Sequence, residues 1–226
     1  AVRPLFIPSS RKNSLIERIN LNFQWHAGMA VTQKQKSIRS LHESASLKGF
    51  ERVLEISSKS ENPIGVKLSA FNLRCRLANG KHVSVENIYQ AGKCFEHGGP
   101  FLELLNKTAR EAKQDPRLGC SGNLVAFDLN GEAWPLIPVT AFYDWVYLSA
   151  LRQSPLLAEK LMNFDGFTDI EFNPERSLNC QAASAALFVA LERGGELETT
   201  LANRDSFLRR LSTSDTILAS AQSSLF

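Results

Sequence analysis

Residues 84–98 read SVENIYQAGKCFEHG, and this stretch decides how the rest of the chain is interpreted. Ser84 is a typical N-cap residue, so we expect a helix that begins at Val85. At about 100° per residue, the polar side chains of such a helix fall on one narrow stripe. The stripe comprises Glu86, Gln90, Lys93 and His97. The opposite, apolar face comprises Val85, Ile88, Ala91, Gly92 and Phe95. The spacing therefore predicts a single amphipathic helix.

The polar stripe has two interpretations that the spacing leaves open. In the first, it is a solvent-facing side on which i,i+3 and i,i+4 pairs stabilise the helix by about 0.3 kcal/mol each. In the second, it lines a site. Glu86 and Lys93 would then lie two turns apart, about 10 Å along the axis. They could contact opposite ends of a sugar or meet through their long side chains.

Composition places the chain among ordinary globular proteins. Its 226 residues suit one domain, and 43% hydrophobic with 22% charged residues exclude disordered and fibrous classes. The apolar runs are shorter than the roughly 18 residues of a membrane span, and the start does not resemble a leader. We therefore expect a cytoplasmic protein without membrane contact. The cysteines lack a CxxC pair and the histidines lack metal-ligand spacing, so we predict neither a metal site nor a cofactor.

The first quarter of the chain is basic. Residues 1–60 contain 10 Lys and Arg against 4 Asp and Glu, whereas residues 61–226 contain 16 against 19. A surface for a phosphate-bearing partner would explain this asymmetry through long-range attraction. A solvated basic helix around residues 34–48 would explain it equally well.

Local patterns elsewhere predict a mixed α+β domain with more helix than strand. The strongest hairpin signal is Asn79-Gly80, which joins strand-like residues 73–77 and 81–85. A second Asn-Gly, Asn130-Gly131, follows the strand-like residues 124–129, and after it the pattern turns helical. We expect further strands at 50–56 and 168–172, and an extended arm or short strands over 1–33. Helices are expected over 33–47, 140–151, 181–192 and 203–211. Within the third and second of these, Phe188, Phe142 and Trp145 are assigned to the core.

The pattern Glu86-x-x-Tyr89-Gln90-Ala91-x-Lys93 resembles the E-x-x-F/Y-Q-A-x-K helix of the NADAR family. Residues 56–59 (ISSK) and 68–72 (LSAFN) are similar to its upstream serine and L-S-N-F segments. Trp134, residues 168–171 (TDIE) and Asn179 are similar to its later motifs. The resemblance covers roughly residues 52–192. It is closest to the branch found beside DarT-type toxins, through the segments EISSKS, LSAFN, FEHGGP, TAFYDW, DGFTDIEFNP and NCQA.

One family element is missing from the chain. Where the common family ending has D-x-x-W-G, this sequence reads FNPER at 172–176. The acid that this element supplies elsewhere therefore has no direct counterpart in this chain. Asp169 or Glu171 could take its place, or Glu86 could suffice.

The resemblance implies a fold, an activity and partners. The fold would be a single compact NADAR-like domain, mainly helical with short strands and hairpins. Its core would span 51–195, with a basic arm and helix at 1–50 and a helix and tail at 196–226. The activity would be a hydrolase that removes ADP-ribose from guanine bases in single-stranded DNA. The chain would act as antitoxin, with ADP-ribosylated DNA as substrate, ADP-ribose as product and the cognate toxin as a candidate partner.

The site residues follow from the resemblance and from the chemistry of the bond. Cleavage of an N-glycosidic bond develops positive charge on the ribose, which a carboxylate such as Glu86 can stabilise while it activates water. Lys93 suits either stabilisation of the leaving base or attack on the ribose to form a transient Schiff base. The expected catalytic residues are Glu86, Lys93 and Asp169. The expected ADP-ribose ligands are Ser57, Ser58, Lys59, Asn72, Gln90, Trp134, Tyr143, Glu171 and Asn179.

Two other functions remain open from the sequence. One is an N-glycosidase for a small riboside or nucleotide, which would need a closed pocket but no positive charge outside it. The other is a non-catalytic module that binds ADP-ribose or the toxin, and such a module would tolerate the loss of Glu86 and Lys93.

Overall fold

The computed structural model describes residues 1–11, 14–175 and 177–213. Its strands are β1 Val2–Arg11, β2 Ser14–Asn22, β3 Val53–Glu55, β4 Arg74–Arg76, β5 His82–Ser84, β6 Lys93–Phe95, β7 Leu124–Leu129, β8 Glu132–Trp134 and β9 Gly166–Thr168. Its helices are α1 Val31–Ser46, α2 Pro63–Leu68, α3 Val85–Ala91, α4 Ala109–Lys113, α5 Arg117–Cys120, α6 Ala141–Arg152, α7 Pro155–Leu161, α8 Gln181–Arg193, α9 Leu197–Thr200 and α10 Arg204–Ser212. A 3-10 helix spans Leu102–Asn106. The mixed α+β class with more helix than strand is confirmed.

The largest sheet brings distant parts of the chain together. Its strand order is β2-β1-β9-β3, with β3 and β9 parallel and β1 antiparallel to both β2 and β9. Because β3 and β9 are parallel, the loops that follow Glu55 and Thr168 leave the sheet at the same edge. We call this the carboxyl edge. The residues expected at 1–33 to form an arm or short strands thus build a long strand pair within the sheet.

Alternation along β1 separates two hydrophobic layers. Leu5 packs with Leu41 of α1 on one face of the sheet. Phe6 points to the other face, where the large cluster around α6 and α8 lies. This alternation is what the period of two in a strand requires when both faces are covered. The sheet is therefore buried between α1 and the α6–α8 layer.

Both Asn-Gly pairs form turns between strands: the hairpin at Asn79-Gly80 is confirmed, whereas Asn130-Gly131 leads into strand β8, where a helical pattern was expected. The first joins β4 to β5, with Cys75 opposite Val83. The second joins β7 to β8, and both Asn130 (φ 57°) and Gly131 (φ 81°) adopt positive φ there. Positive φ at both central positions is the condition for a type I′ turn, which favours Asn followed by Gly.

Helices α6 and α8 form the centre of the main core. Phe142 and Phe188 are almost completely buried, and Trp145 packs against the same cluster, so the core assignments of the three residues are confirmed. Small residues in α8, such as Ala185 and Ala186, allow close packing against α6. Among the described residues, no helix has both the length and the apolarity needed to cross a bilayer.

The helix predicted over residues 84–98 is shorter than expected. It begins as predicted, because Ser84 caps the backbone N–H of Asn87, but α3 ends at Ala91. The carbonyl of Gly92 accepts a hydrogen bond of 2.7 Å from the backbone N–H of Asp128, and the chain continues as strand β6 beside β7. A pairing partner from a distant segment thus ends the helix. Lys93 lies on a strand and His97 in the turn that follows it, so the prediction of one helical stripe was wrong.

The strand predicted at 168–172 also differs. β9 ends at Thr168, and the carboxylate of Asp169 accepts the backbone N–H groups of Glu171 and Phe172 at 3.0 and 3.2 Å. An acidic side chain that bonds its own backbone two residues on turns the chain out of the strand. The last helix is confirmed as α10, capped by Asn203. Most of the polar tail expected after it lies outside the described residues.

Candidate functional site

Two polar loops meet at the carboxyl edge of the large sheet. The first follows β3 and carries Ser57, Ser58 and Lys59; the second follows β9 and carries Asp169 and Glu171. Ser57 is buried and accepts the backbone N–H of Lys59 at 3.2 Å, whereas Ser58 is exposed. Loops at the carboxyl ends of parallel strands are a common place for ligands. The structure thus brings two of the predicted groups of residues to one edge.

Glu86 lies in the first turn of α3 with only 5% of its surface exposed. Its Oε1 atom accepts a hydrogen bond of 2.8 Å from the Gln90 side chain and lies 3.8 Å from Nζ of Lys113. Its backbone N–H donates to the carbonyl of Ala70, which joins α3 to the loop after α2. Burial excludes the solvent-facing interpretation of this part of the motif. A buried carboxylate is unfavourable unless it is paired, and Gln90 and Lys113 supply the partners of Glu86.

Lys93 lies beside Glu86 although it belongs to a strand. Its Nζ atom is 4.7 Å from the centroid of the Tyr89 ring, a cation–π distance. Burial lowers the pKa of Lys93, and the charge of Lys113 lowers it further, while Glu86 acts in the opposite direction. The amine of Lys93 is therefore easier to deprotonate than that of an exposed lysine.

Tyr89, which contacts Lys93, forms an aromatic pair with Tyr143. The Tyr143 ring packs edge-on against Tyr89, with centroids 5.2 Å apart and planes at 89°. Burial raises the pKa of Tyr143, and the charges of Glu86 and Asp169 both raise it further. The charges of both predicted acids therefore act on Tyr143, and its hydroxyl stays protonated at physiological pH.

Two side-chain amide oxygens in this cluster have no hydrogen-bond partner among the described residues. They are Oε1 of Gln90 and Oδ1 of Asn179, and both are buried. The other half of each amide is fixed, since Gln90 donates to Glu86 and Asn179 donates to the hydroxyl of Tyr89 at 2.6 Å. A buried acceptor without a partner is unfavourable by about 1–3 kcal/mol, so such atoms mark places where a ligand donor fits.

Asp169 and Glu55 form a second pair of buried acids. Burial, together with the neighbouring charge of Glu55, raises the pKa of Asp169 to about 8. Burial likewise raises the pKa of Glu55, whose oxygens accept hydrogen bonds from the Ile170 N–H at 2.8 Å and the Thr168 hydroxyl at 2.7 Å. Two carboxyls this close in a low-dielectric site do not both ionise near neutral pH. At least one of them holds a proton.

A cavity of about 360 Å³ reaches Glu55 from the α1 side, between α1 and β3. His42 and Glu55 line it, and Nε2 of His42 lies 2.9 Å from the hydroxyl of Thr168. Burial lowers the pKa of His42 to about 4, so its imidazole is neutral at physiological pH. A hydrogen-bonded path therefore runs from the cavity through Thr168 to Glu55.

Gln181, the first residue of α8, connects both loops to Ala70, in the segment between α2 and β4. Its side-chain carbonyl accepts the Ala70 N–H at 2.8 Å, and its amide donates to the carbonyl of Ile56 at 2.7 Å. The Gln181 side chain also hydrogen-bonds Asp169. Sequence reasoning missed both Gln181 and Glu55. The available signal was an acid among apolar residues in the strand VLEI, directly before Ser-Ser-Lys.

Three predicted ligands lie apart from this cluster or have other partners. Trp134 is only 1% exposed and packs against Phe142 and Phe207, so the expected stacking on a base does not fit this packing. The Asn72 amide donates to the carbonyl of Val66 and to Ser69, within its own turn. Glu171 points outward and lies 3.4 Å from Nζ of Lys34.

Comparison with protein families identifies the group to which the chain belongs. The family model of DarT1-associated NADAR antitoxins matches residues 1–220, nearly the whole chain. No curated protein matches the chain. The match includes the strand pair β1–β2 and helix α1, which precede the motifs discussed above. The chain therefore belongs to the NADAR antitoxins that are associated with DarT1.

Proposed function

We propose that this chain is a hydrolase that removes ADP-ribose from guanine bases in single-stranded DNA and thereby reverses the action of its DarT1 toxin. One observation carries the proposal. The buried carboxylate of Glu86, the amine of Lys93 and the two unpartnered amide oxygens of Gln90 and Asn179 occupy one cluster. The guanine and the single strand come from the family resemblance.

Glu86 suits the ribose side of the reaction. As the bond between ribose C1 and the base breaks, electrons move to the base and positive charge develops on the ribose. A carboxylate in a water-poor site stabilises this charge more than it would in bulk water. Gln90 holds one oxygen of Glu86 in place through a hydrogen bond of 2.8 Å. Its own free carbonyl oxygen is available for a ribose hydroxyl.

Lys93 suits attack on the ribose carbon. Burial and Lys113 both lower its pKa, which increases the fraction of neutral amine. The amine forms a bond to C1 while the base leaves with the electrons of the broken bond. Opening of the ribose ring gives a Schiff base, and water then restores the amine and releases ADP-ribose. In the alternative role, the charged ammonium stabilises the departing base without a covalent bond.

Asp169 suits the base side of the reaction. With a pKa raised to about 8 by burial, its carboxyl is largely protonated near neutral pH. A protonated carboxyl can donate to a nitrogen of the departing guanine, which makes that base a better leaving group. Glu55, whose charge acts on Asp169, lines the His42 cavity, and this cavity offers Glu55 a route for proton exchange with solvent.

The loop after β3 suits the diphosphate. Ser58 is exposed and Lys59 is half-buried, so hydroxyl, ammonium and backbone N–H donors are available at the carboxyl edge. Such contacts neutralise phosphate oxygens without reading a base. The charges of both Asp169 and Glu86 act on Tyr143, and Asn179 bonds Tyr89 of α3, so we assign Tyr143 and Asn179 to the ribose.

The proposal is tested by mass spectrometry of a single-stranded oligonucleotide that carries one ADP-ribosylated guanine. The wild-type chain is expected to release ADP-ribose and leave an intact guanine. Glu86→Gln is expected to lower the rate by about 10³-fold while it retains the fold, and Glu159→Gln, an exposed change on α7, serves as the control. An oligonucleotide that stays modified, together with tight binding of ADP-ribose, would indicate a non-catalytic module instead. Neither release nor binding would favour small ribosides.

A further inference from the structure

Trp25, Arg3 and Lys34 form a basic aromatic surface, which we call the Trp25 surface. Nζ of Lys34 lies 4.6 Å and Cζ of Arg3 lies 5.7 Å from the centroid of the Trp25 ring. The tryptophan is 37% exposed and rests edge-on against Phe23, which belongs to the α1-side layer. The Trp25 surface thus combines a partly exposed indole ring with two cationic side chains at cation–π distance.

The strand directions place this surface at the same edge of the sheet as the candidate site. Phe6 of β1 pairs with Phe167 of β9, and the two strands are antiparallel. Arg3 therefore lies toward the carboxyl edge, alongside the turn that follows Thr168. β2 runs parallel to β9, so Trp25, which follows β2, leaves the sheet at that edge as well.

A direct contact connects the two regions. Nζ of Lys34 lies 3.4 Å from Oε1 of Glu171, and the backbone N–H of Glu171 donates to Asp169 at 3.0 Å. Only one ion pair and two residues of chain thus separate the Trp25 surface from an acid of the candidate site. A polymer that places one unit in the site would pass over this surface.

The chemistry of the Trp25 surface favours a single-stranded nucleic acid. Such strands bind where aromatic rings stack on bases and cations follow the phosphates. Arg3 donates through Nη1 to the carbonyl of Val2 at 2.9 Å, its Nε has no partner, and no acidic side chain lies within ion-pair distance of it among the described residues. Its charge is therefore available to a phosphate. The surplus of basic residues in the first 60 residues of the chain adds long-range attraction of the same sign.

We propose that the Trp25 surface binds the nucleotides that flank the modified guanine, with one base stacked on Trp25 and a neighbouring phosphate on Arg3. This inference rests on the proposed function for the identity of the strand. It adds a second contact region that selects a polymer over a free nucleoside. This region lies outside the cluster of Glu86, Lys93, Gln90 and Asn179, which we call the ADP-ribose cluster. The ADP-ribose cluster itself needs no such contact.

Two measurements test the inference. The first is fluorescence anisotropy of an unmodified, labelled 12-residue single strand at low salt, which needs no catalysis. Trp25→Ala and Arg3→Gln are each expected to raise the dissociation constant about tenfold, the effect typical of one lost stacking or phosphate contact. Trp25→Phe should retain most of the affinity, and Lys160→Gln, an exposed change on α7, should retain all of it. Lys34 is left unchanged because its ion pair reaches Glu171.

The second measurement compares turnover of ADP-ribosylated guanosine with that of the modified strand. Trp25→Ala and Arg3→Gln are expected to raise KM for the strand about tenfold and to leave turnover of the nucleoside unchanged. Equal losses for both substrates, or unchanged strand binding in both variants, would overturn the inference. Unchanged strand binding with lost binding of the purified toxin would overturn it in favour of a protein interface. If the wild-type chain hydrolyses neither substrate, the proposed function fails, while the anisotropy result still decides the surface.

Discussion

The side chain of Asn179 donates a hydrogen bond of 2.6 Å to the hydroxyl of Tyr89. This contact joins the segment before α8 to the centre of α3, and it fixes which way the Asn179 amide faces. The amide oxygen of Asn179 is thereby left buried without a partner among the described residues. The Tyr89 ring at the same time supports the amine of Lys93. One tyrosine therefore orients both an acceptor and an amine.

Removal of the Tyr89 hydroxyl should disturb ligand binding more than folding. In Tyr89→Phe the Asn179 amide loses its anchor and is free to rotate, so KM for the modified oligonucleotide is expected to rise about threefold to tenfold. The matched control is Tyr147→Phe, which removes a buried hydroxyl that donates to the carbonyl of Leu68. That control should lower the melting temperature without a change in KM. A Tyr89→Phe enzyme with wild-type KM would show that Asn179 does not contact the ligand.

A Schiff base at Lys93 can be trapped. Borohydride added during turnover should reduce the imine to a stable amine, and peptide mass spectrometry should then find the sugar on Lys93. Lys93→Arg keeps a positive charge but cannot form an imine, so it should lose at least about 10³-fold in rate and give no adduct. Lys160→Arg on α7 provides the exposed control. An active Lys93→Arg enzyme would assign Lys93 an electrostatic role instead.

The acid pair predicts a pH dependence of stability. The pKa of Asp169 rises from 3.8 to about 8 on folding, chiefly through burial. The resulting stability is fully present below pH 3.8 and is lost as the pH rises toward 8, because the unfolded chain releases the proton first. As the pH rises from 5 to 8.5, the free energy of unfolding should therefore fall less in Asp169→Asn than in the wild type. The difference should be roughly a few kcal/mol, measured by urea unfolding.

The control for this prediction is Glu192→Gln, a change at an exposed position of α8 that should leave the pH dependence as it is. Glu55 shares the buried site, so Glu55→Gln should reduce the slope in the same direction. A wild-type slope in Asp169→Asn would mean that the proton resides on Glu55.

Trp134 is expected to affect stability and not affinity. Its ring is buried against Phe142 and Phe207, and its indole N–H has no partner among the described residues. Trp134→Phe leaves a small cavity but removes an unsatisfied donor, so the free energy of unfolding should fall by only about 1–2 kcal/mol. KM for the modified strand should stay unchanged. A higher KM at unchanged stability would place Trp134 in the ligand site after all.

Sequence reasoning succeeds where the deciding chemistry is local. Asn130-Gly131 specifies its own turn through positive φ, and Ser84 and Asn203 cap helices through contacts within three residues. The small, apolar residues that identify α8 likewise lie within thirteen residues of sequence. These features require no knowledge of the remaining chain. The family motif adds the residues Glu86, Tyr89 and Gln90, which the structure brings together.

Sequence reasoning fails where a distant residue decides. The end of α3 depends on a distant hydrogen bond, which the backbone N–H of Asp128 donates to the carbonyl of Gly92. Glu55 and Asp169 become one acid pair only because β3 and β9 pair in parallel, more than a hundred residues apart along the chain. Trp134 looks like a ligand residue in the sequence, yet α10 supplies Phe207 to cover it. No local pattern contains these contacts.

The pairing of β1 with β9 has a consequence for how the chain is made. Phe6 cannot pair until Phe167 has been synthesised, so about 160 residues must leave the ribosome before β1 and β9 can join in one sheet. Both loops at the carboxyl edge, and with them Asp169, take their final positions only at that late stage. Any nascent chain that stops early lacks the finished edge. A chain that stops before β9 lacks Asp169 and the carboxyl edge, so we expect incomplete translation products to give no protection against the toxin.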